Sequence, residues 1–330
     1  MRAIPTNVDT PMRAFWFLLV FAAMLSHTAH AAPPARSVTI GVIAPLSLPA
    51  IEGLRKGFRE LGYVEGRNLR LEYRWAEGPA ERYVNVAQEL LRLGVDVIVT
   101  WGTPATMGAR QATATLPIVT AAVGDPVAAQ LVPNLARPGG NVTGFSSLAT
   151  ELEVKRLQVL KELVPDLRRL GVLSNPANPA TAIAARGLQQ VAHSLGLMVA
   201  TVEVRGNAVE QALVELRDAR SGAALVLADP VLLDRARNIV EFMSAQRLIA
   251  MYAYREFVQV GGLLSYGTNY HELFRRAAGY VDRILNGAYP GDLPVQEADR
   301  FELAINLKTA KALGLEVPAT VFALADEVIE

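Results

Sequence analysis

The sequence predicts an α/β protein built from two doubly wound parallel-sheet lobes, and two observations carry that prediction. First, Val95–Val132 holds two consecutive units in which a short, wholly apolar run ends in a small-residue turn and then opens a helix. The runs are Val95–Thr100, broken only by Asp96, and Pro117–Val123; the turns are Trp101-Gly102-Thr103-Pro104 and Gly124-Asp125-Pro126. Runs of this length without alternation suit strands buried on both faces of a parallel sheet. Second, the same alternation restarts after the turn cluster Arg137-Pro138-Gly139-Gly140-Asn141 and runs through the chain again with a different sequence.

The elements follow in order. Val38–Ala44 is a buried strand, and Pro45, Ser47 and Pro49 make a loop before a helix over Ala50–Leu61, whose Leu54, Phe58 and Leu61 share one face. Gly62 ends that helix as a C′ residue. Asn68–Trp75 alternates, as a strand nearer the sheet edge does. Gly78-Pro79 punctuates, a helix runs to Leu93, and Gly94 stops it before the central stretch. Pro104 and Pro126 suit the first turn of a helix, where a missing N–H costs nothing.

In the second half, Thr150 with Glu153 forms a capping box for a helix reaching Val164. Strands are predicted at Leu170–Leu173, Val199–Val204, Ala223–Ala228, Leu248–Tyr252 and Gly262–Tyr266, with helices between them. Three of the runs end in polar small-residue turns: Ser174–Pro179 (SNPANP), Asp229-Pro230 and the segment Tyr252–Phe257. A long amphipathic helix over Asn269–Leu285 is capped by Asn269 with Glu272, and Phe301–Leu307 and Lys308–Leu313 form a late strand and a short helix. A tail of that length implies that the chain crosses between lobes again. The expected division is 36–148 with 268–292 in the first lobe, and 149–267 with 293–330 in the second.

Ahead of the lobes, Met1–Ala31 reads as a secretory signal peptide. Arg2 and Arg13 form the basic region, Ala14–Leu25 the apolar core and Ala29-His30-Ala31 the cleavage site. The apolar run falls short of the roughly 20 residues that span a bilayer. The remainder, about 300 residues, suits two domains at about 150 residues each. The chain has no cysteine, which excludes disulfides, thiol catalysis and lipid attachment at a cysteine. The compartment expected is therefore the periplasm, reached by a cleavable signal peptide and without a lipid anchor. Asn141-Val142-Thr143 fits a glycosylation pattern and is read as a loop. Lys and Arg number 32 against 32 Asp and Glu, a balance that gives no support for nucleic-acid binding. The expected partner is a small molecule.

Turns at the carboxyl ends of parallel strands are where open α/β sheets bind ligands, because helix N-termini there present unpaired N–H groups. Gly102 and Gly124 permit close approach to the backbone. Thr103 and Thr106 offer hydroxyls, and Asp125 offers an acid. Either turn alone is equally an ordinary capped βα turn; side by side they suggest a grip on a small ligand with an anionic end. Two lobes with such turns can face each other across a cleft.

Several stretches carry a family resemblance: GTPATMGARQATATLPIVTAAVGDPVAAQLV, ARPGGNVTGFS, LKELVPDLRRLGVLSNPANP, REFVQVGGLLSYG and YVDRILNGAYPGDLPVQEADRFELAINLKTAKALGL. In order and over nearly all of the chain beyond the leader, they resemble the substrate-binding proteins of ABC transporters, the tryptophan- and tyrosine-binding type included. The resemblance implies a type I periplasmic-binding-protein fold with three hinge crossovers, and a ligand buried when the lobes close. It implies a monomer that hands its cargo, an amino acid with the aromatic ones among the candidates, to an ABC permease in the inner membrane, with no cofactor and no metal. The chain departs from the family pattern at Leu293–Leu307, and its loop PLSLPAIEG is poor in hydroxyls and amides.

Carried residue by residue, the resemblance favours Gly102, Thr103, Thr106, Gly124 and Asp125 on the first lobe, and Asn175, Asn178, Asp229, Tyr254 and Tyr266 on the second. A zwitterion would place its carboxylate on the Gly102–Thr106 turn and its ammonium on Asp125 or Asp229. Trp101 or Tyr254 could stack an aromatic side chain, although a strand-end Trp also serves as packing. Asp125→Ala is accordingly expected to abolish binding without unfolding the protein. Two other readings stand beside this one: a periplasmic ligand sensor reporting to a membrane receptor, and an enzyme. The sequence offers the latter little, with His193 and His271 the only histidines beyond the leader and no nucleophile elbow, P-loop or dinucleotide fingerprint.

Overall fold

The computed structural model describes residues 37–330 apart from 46–48, 77–79 and 207. The signal-peptide reading, Ser47 and the Gly78-Pro79 break lie outside the described residues.

The first sheet is built from β1 (Val38–Ala44), α1 (Ile51–Glu60), β2 (Leu69–Trp75), α2 (Ala80–Arg92), β3 (Val97–Trp101), α3 (Thr103–Ala112), β4 (Ile118–Val123) and β5 (Val142–Ser146). The chain then enters the second sheet through α4 (Ala149–Leu163), β6 (Arg169–Ser174), α5 (Pro179–Ser194), β7 (Met198–Glu203), α6 (Val209–Asp218), β8 (Ala223–Val226), α7 (Pro230–Asp234), α8 (Ala236–Ala245), β9 (Ile249–Tyr252), α9 (Arg255–Gln259) and β10 (Leu264–Thr268). It returns to the first through α10 (Tyr270–Leu285) and β11 (Gln296–Glu297), and ends on the second with β12 (Phe301–Asn306), α11 (Leu307–Leu313), α12 (Ala319–Phe322) and β13 (Glu327–Ile329).

The strand orders are β11-β5-β4-β3-β1-β2 and β13-β12-β10-β9-β8-β6-β7. Among the described residues every pairing is parallel except β10 with β12, so β12 and the β13 beside it run against the other strands of the second sheet, a reversal that the apolar pattern does not announce. The chain remains on the first sheet through β11, whose Gln296 pairs with Phe145. The last crossing therefore falls after Glu297 rather than at 293.

Burial on both faces explains the apolar runs. In β3, Val97 and Val99 join the core beneath α1 and α10, with Leu54, Phe58, Phe274 and Val281. Ile98, between them, points to the opposite core with Tyr83, Leu90, Ala105 and Ala109. The α1–α10 crossing is close because glycines face it. A Cβ on Gly57 would stand 2.3 Å from the Arg275 carbonyl oxygen and 2.8 Å from the Ala278 Cβ. Alanine's better helix propensity is worth about 1 kcal/mol, but a rigid backbone contact that short cannot relax, so the clash decides the sign. Gly57→Ala is expected to destabilise the protein by about 1–3 kcal/mol, read as a lower urea midpoint at unchanged slope; a midpoint at or above wild type would contradict this packing.

The three crossings between sheets run side by side. The Thr268 hydroxyl donates to the Ser147 carbonyl at 2.8 Å, and the Asn269 N–H donates to the Arg300 carbonyl at 3.1 Å. The first crossing bends at Leu148, whose φ of 52° lies in the left-handed region.

Two local expectations fail for physical reasons. Leu148, not a Thr150 capping box, precedes α4, and no side chain caps that helix. Glu153 instead forms a fully buried ion pair with Arg156, whose Nε donates to the Tyr266 carbonyl at 2.6 Å. Burial pushes the Glu153 carboxyl up, against the pull of the Arg156 guanidinium. After β4, Pro126 opens only a turn, because Gln130 turns left-handed at φ 56° and Pro133 follows. Asn269 does cap α10, its side-chain oxygen accepting from the Glu272 N–H at 2.8 Å.

Candidate ligand cleft

Strand ends of the two sheets meet face to face. The first lobe brings the turns after β3 and β4, and the second brings those after β6, β8 and β9. Gly102 adopts φ 90° ahead of α3, a conformation suited to glycine, and its N–H donates to the Ala122 carbonyl at 2.8 Å. The Thr103 hydroxyl accepts from the Gly124 N–H at 3.3 Å, coupling the two first-lobe turns. The Ser146 and Ser147 hydroxyls donate to the Gly124 and Val123 carbonyls, so the β4 turn is held from both sides.

The second-lobe side centres on Asp229, only 1% exposed. Its carboxylate caps α7, accepting from the Val231 and Leu232 N–H groups at 2.9 and 3.3 Å. It also accepts from the Asn178 amide at 2.8 Å and the Asn175 amide at 3.2 and 3.3 Å. Asn178 in turn caps α5 through the Ala180 N–H. Burial raises the Asp229 carboxyl above the ordinary range, and the two asparagine amides and the two backbone N–H groups pull it back. Dipoles alone compensate this carboxylate: no ion pair to Asp229 occurs among the described residues.

An aromatic cluster spans the lobes. Trp101, 2% exposed at the end of β3, meets Tyr254 and Tyr270 edge-on at 6.4 and 6.1 Å, and those two rings lie 5.3 Å apart. Desolvation raises both tyrosine hydroxyls above their ordinary range, so both stay neutral donors. Around the cluster lie three cavities. One of about 20 Å3 is lined by Gly102, Thr103, Gly124, Asn178, Tyr254 and Tyr270, with Trp101. One of about 50 Å3 includes Trp101, Gly102, Asn175 and Asp229. The third, about 250 Å3, lies beyond Tyr254 and Tyr270. The lobes touch closely: a Cβ on Gly124 would stand 2.5 Å from the Ala180 Cβ of the opposite lobe.

Of the residues singled out from the sequence, Trp101, Gly102, Thr103, Gly124, Asn175, Asn178, Asp229 and Tyr254 converge here. Three do not. Thr106 lies beneath the turn, its hydroxyl bonded to Thr100 at 2.8 Å and to the Gly102 carbonyl at 3.1 Å. Asp125 remains half-buried, its carboxylate accepting from the Val127 and Ala128 N–H groups of its own turn, and it lines none of the three cavities. Tyr266 packs against Phe301 at 6.1 Å and faces a groove with Leu303 and Asp326 on the outside of the second sheet. Sequence reasoning missed Tyr270, Ser147 and Pro230. The signal for Tyr270 was its place beside the Asn269 cap at the point where the chain changes lobes. Among the described residues, no group of three His, Asp or Glu is placed to hold a metal, and no helix is long and apolar enough to cross a membrane.

Comparison with known proteins gives a consistent result. A family model described as ABC transporter substrate binding protein matches residues 38–329. A tyrosine-binding protein of Clostridioides difficile strain R20291 is 30% identical over 286 residues, 84% of this chain and 81% of that one. A Streptococcus pneumoniae ABC domain solved in complex with L-Trp superposes with a TM-score of 0.82 at 27% identity, covering 89% of this chain and all of that one. The ligand-free, open structure of a substrate-binding protein with adhesive properties from Clostridium difficile gives 0.64 at 26% identity, over 88% of this chain and 99% of that one. At nearly equal identity, the superposition is better on the complex than on the open protein.

Proposed function

The chain belongs to the ABC transporter substrate-binding protein family and has its type I periplasmic-binding-protein fold, and from that premise we propose that it captures an aromatic amino acid between its lobes and delivers it to an inner-membrane ABC permease from the periplasm. The observation that carries the cargo class is Asp229: a buried carboxylate held only by dipoles, beside an aromatic cluster and across the cleft from the start of α3. A ligand ammonium supplies the missing counter-charge. The ligand carboxylate fits the N-terminus of α3, where the first-turn N–H groups of Thr103 and Ala105 have no acceptor within the helix. Trp101, Tyr254 and Tyr270 supply ring faces and edges for an aromatic side chain. The tyrosine-binding relative and the L-Trp complex agree with this class. Cavities of about 20 and 50 Å3 are too small for such a molecule as the side chains stand, so entry requires the lobes to part, the hinge motion of this fold.

The test is a thermal-shift and calorimetric screen of L-Tyr, L-Trp and L-Phe against aliphatic amino acids and organic acids, using protein refolded to strip any carried ligand. A cognate ligand at 100 times its Kd is expected to add about 2.7 kcal/mol and to raise the melting temperature by several degrees. Silence toward all three aromatic amino acids, with a response to another class, would refute the cargo assignment.

A further inference from the structure

We propose that the 250 Å3 cavity beyond Tyr254 and Tyr270 receives the far end of the cargo, and that Glu256 selects there for a cationic hydrogen-bond donor, an amine carried on the aromatic side chain. This inference rests on the cargo class proposed above and extends it from the head group to the tail. Tyr254 and Tyr270 line both the 20 Å3 cavity and the larger one, so they are the shared wall between the head-group side and this space. A side chain running from Asp229 past those rings enters the only one of the three cavities with room for more than a water or two.

The charges around that cavity do not cancel. The second lobe contributes Arg255, Glu256 and Glu302, and the first contributes Pro49, Ala50 and His271. Arg255 lies 3.8 Å from Glu302, which also accepts a hydrogen bond from the Asn269 amide. Glu256 is left half-buried, with its own backbone N–H as donor and, among the described residues, no ion pair within 4 Å. Desolvation pushes its carboxyl up, with Glu302 adding to the rise and Arg255 opposing it, as expected of an acid short of a counter-ion. An anionic tail would meet two carboxylates. An apolar tail would strip water from Glu256 and return nothing. An amine provides both charge and donors.

Calorimetry with two probes that share head group and ring, L-phenylalanine and 4-(aminomethyl)-L-phenylalanine, tests this. The amine probe is expected to bind the wild-type protein about tenfold more tightly, the scale of one charge-assisted hydrogen bond, and Glu256→Gln is expected to bring the two probes within about twofold of each other. Equal binding of both probes by the wild type overturns the inference and leaves the cargo class standing, as does a preference that survives Glu256→Gln. Binding of neither probe overturns this inference, and the cargo class falls with it only if L-Tyr and L-Trp are silent as well.

Discussion

Asp229→Asn is expected to weaken binding of the cognate amino acid by about 2–5 kcal/mol, the cost of removing one partner from a buried charge pair, while the protein stays folded. Asparagine keeps an oxygen to cap the Val231 and Leu232 N–H groups, so the variant loses the charge and retains the turn. The charge also makes a pH signature. Burial is the main cause of the raised Asp229 carboxyl, opposed by Asn178, Asn175 and the two N–H groups. Between the ordinary carboxyl value near 4 and its own raised value, folded Asp229 holds a proton that the unfolded chain has lost. Its contribution to stability is therefore fully present below the unfolded value and lost as pH rises through the folded one. Tyr254 is the titratable neighbour, and it stays neutral throughout that window. Ligand affinity runs the opposite way, because an ammonium needs the ionised form: it is expected to fall by up to about tenfold per unit as pH drops below the raised value. Titrations across pH, with urea melts of the ligand-free protein, read both slopes. An Asp229→Asn protein with wild-type affinity, or a wild-type affinity flat with pH, would remove Asp229 from the site.

The contrast between Asp229 and Asp125 shows where sequence reading stops. Both precede a proline after an apolar strand, and both cap the turn that follows. Distant residues distinguish them: Asn175 and Asn178 bond the Asp229 carboxylate and the opposite lobe faces it, whereas Asp125 stays half-exposed, and no local pattern carries that information. The lobes and most strands were legible because burial on both sheet faces leaves an apolar run, as at Val97–Val99. The direction of β12 was not, since a strand's residues do not say which way its neighbour runs. Tyr266 misled because β10 continues to Thr268, two residues beyond its apolar run, so the chain reaches the cleft only at Tyr270. Glu153 misled because a Thr–x–x–Glu spacing looks like a cap wherever it occurs, whereas Arg156, one turn further on, claims the carboxylate.

Gly124→Ala is expected to hold the lobes apart. Gly124 needs no left-handed backbone, so alanine fits the turn itself; the obstacle is the Ala180 Cβ at 2.5 Å from the added methyl. Ala180 sits in the first turn of α5, fixed by the Asn178 cap, and has no rotamer with which to give way. Overpacking of this kind costs about 1–3 kcal/mol. Here it falls on the closed arrangement alone, because the two residues belong to different lobes. If only the closed form binds tightly, apparent affinity falls in proportion to its population, by about 5- to 150-fold, while the urea midpoint of the ligand-free protein hardly moves. Trp101 reports the same event: it is buried between the lobes, whereas Trp75 is already exposed, so opening is expected to red-shift the emission and admit quenchers to one tryptophan. The decisive control is the pair Gly124→Ala with Ala180→Gly, which exchanges the methyl across the interface. That pair is expected to recover most of the lost affinity, less about 1 kcal/mol for glycine in a helix. Loss of affinity in Gly124→Ala without rescue by Ala180→Gly would mean that the glycine serves the ligand directly. Unchanged affinity in Gly124→Ala alone would mean that the lobes do not close on this contact.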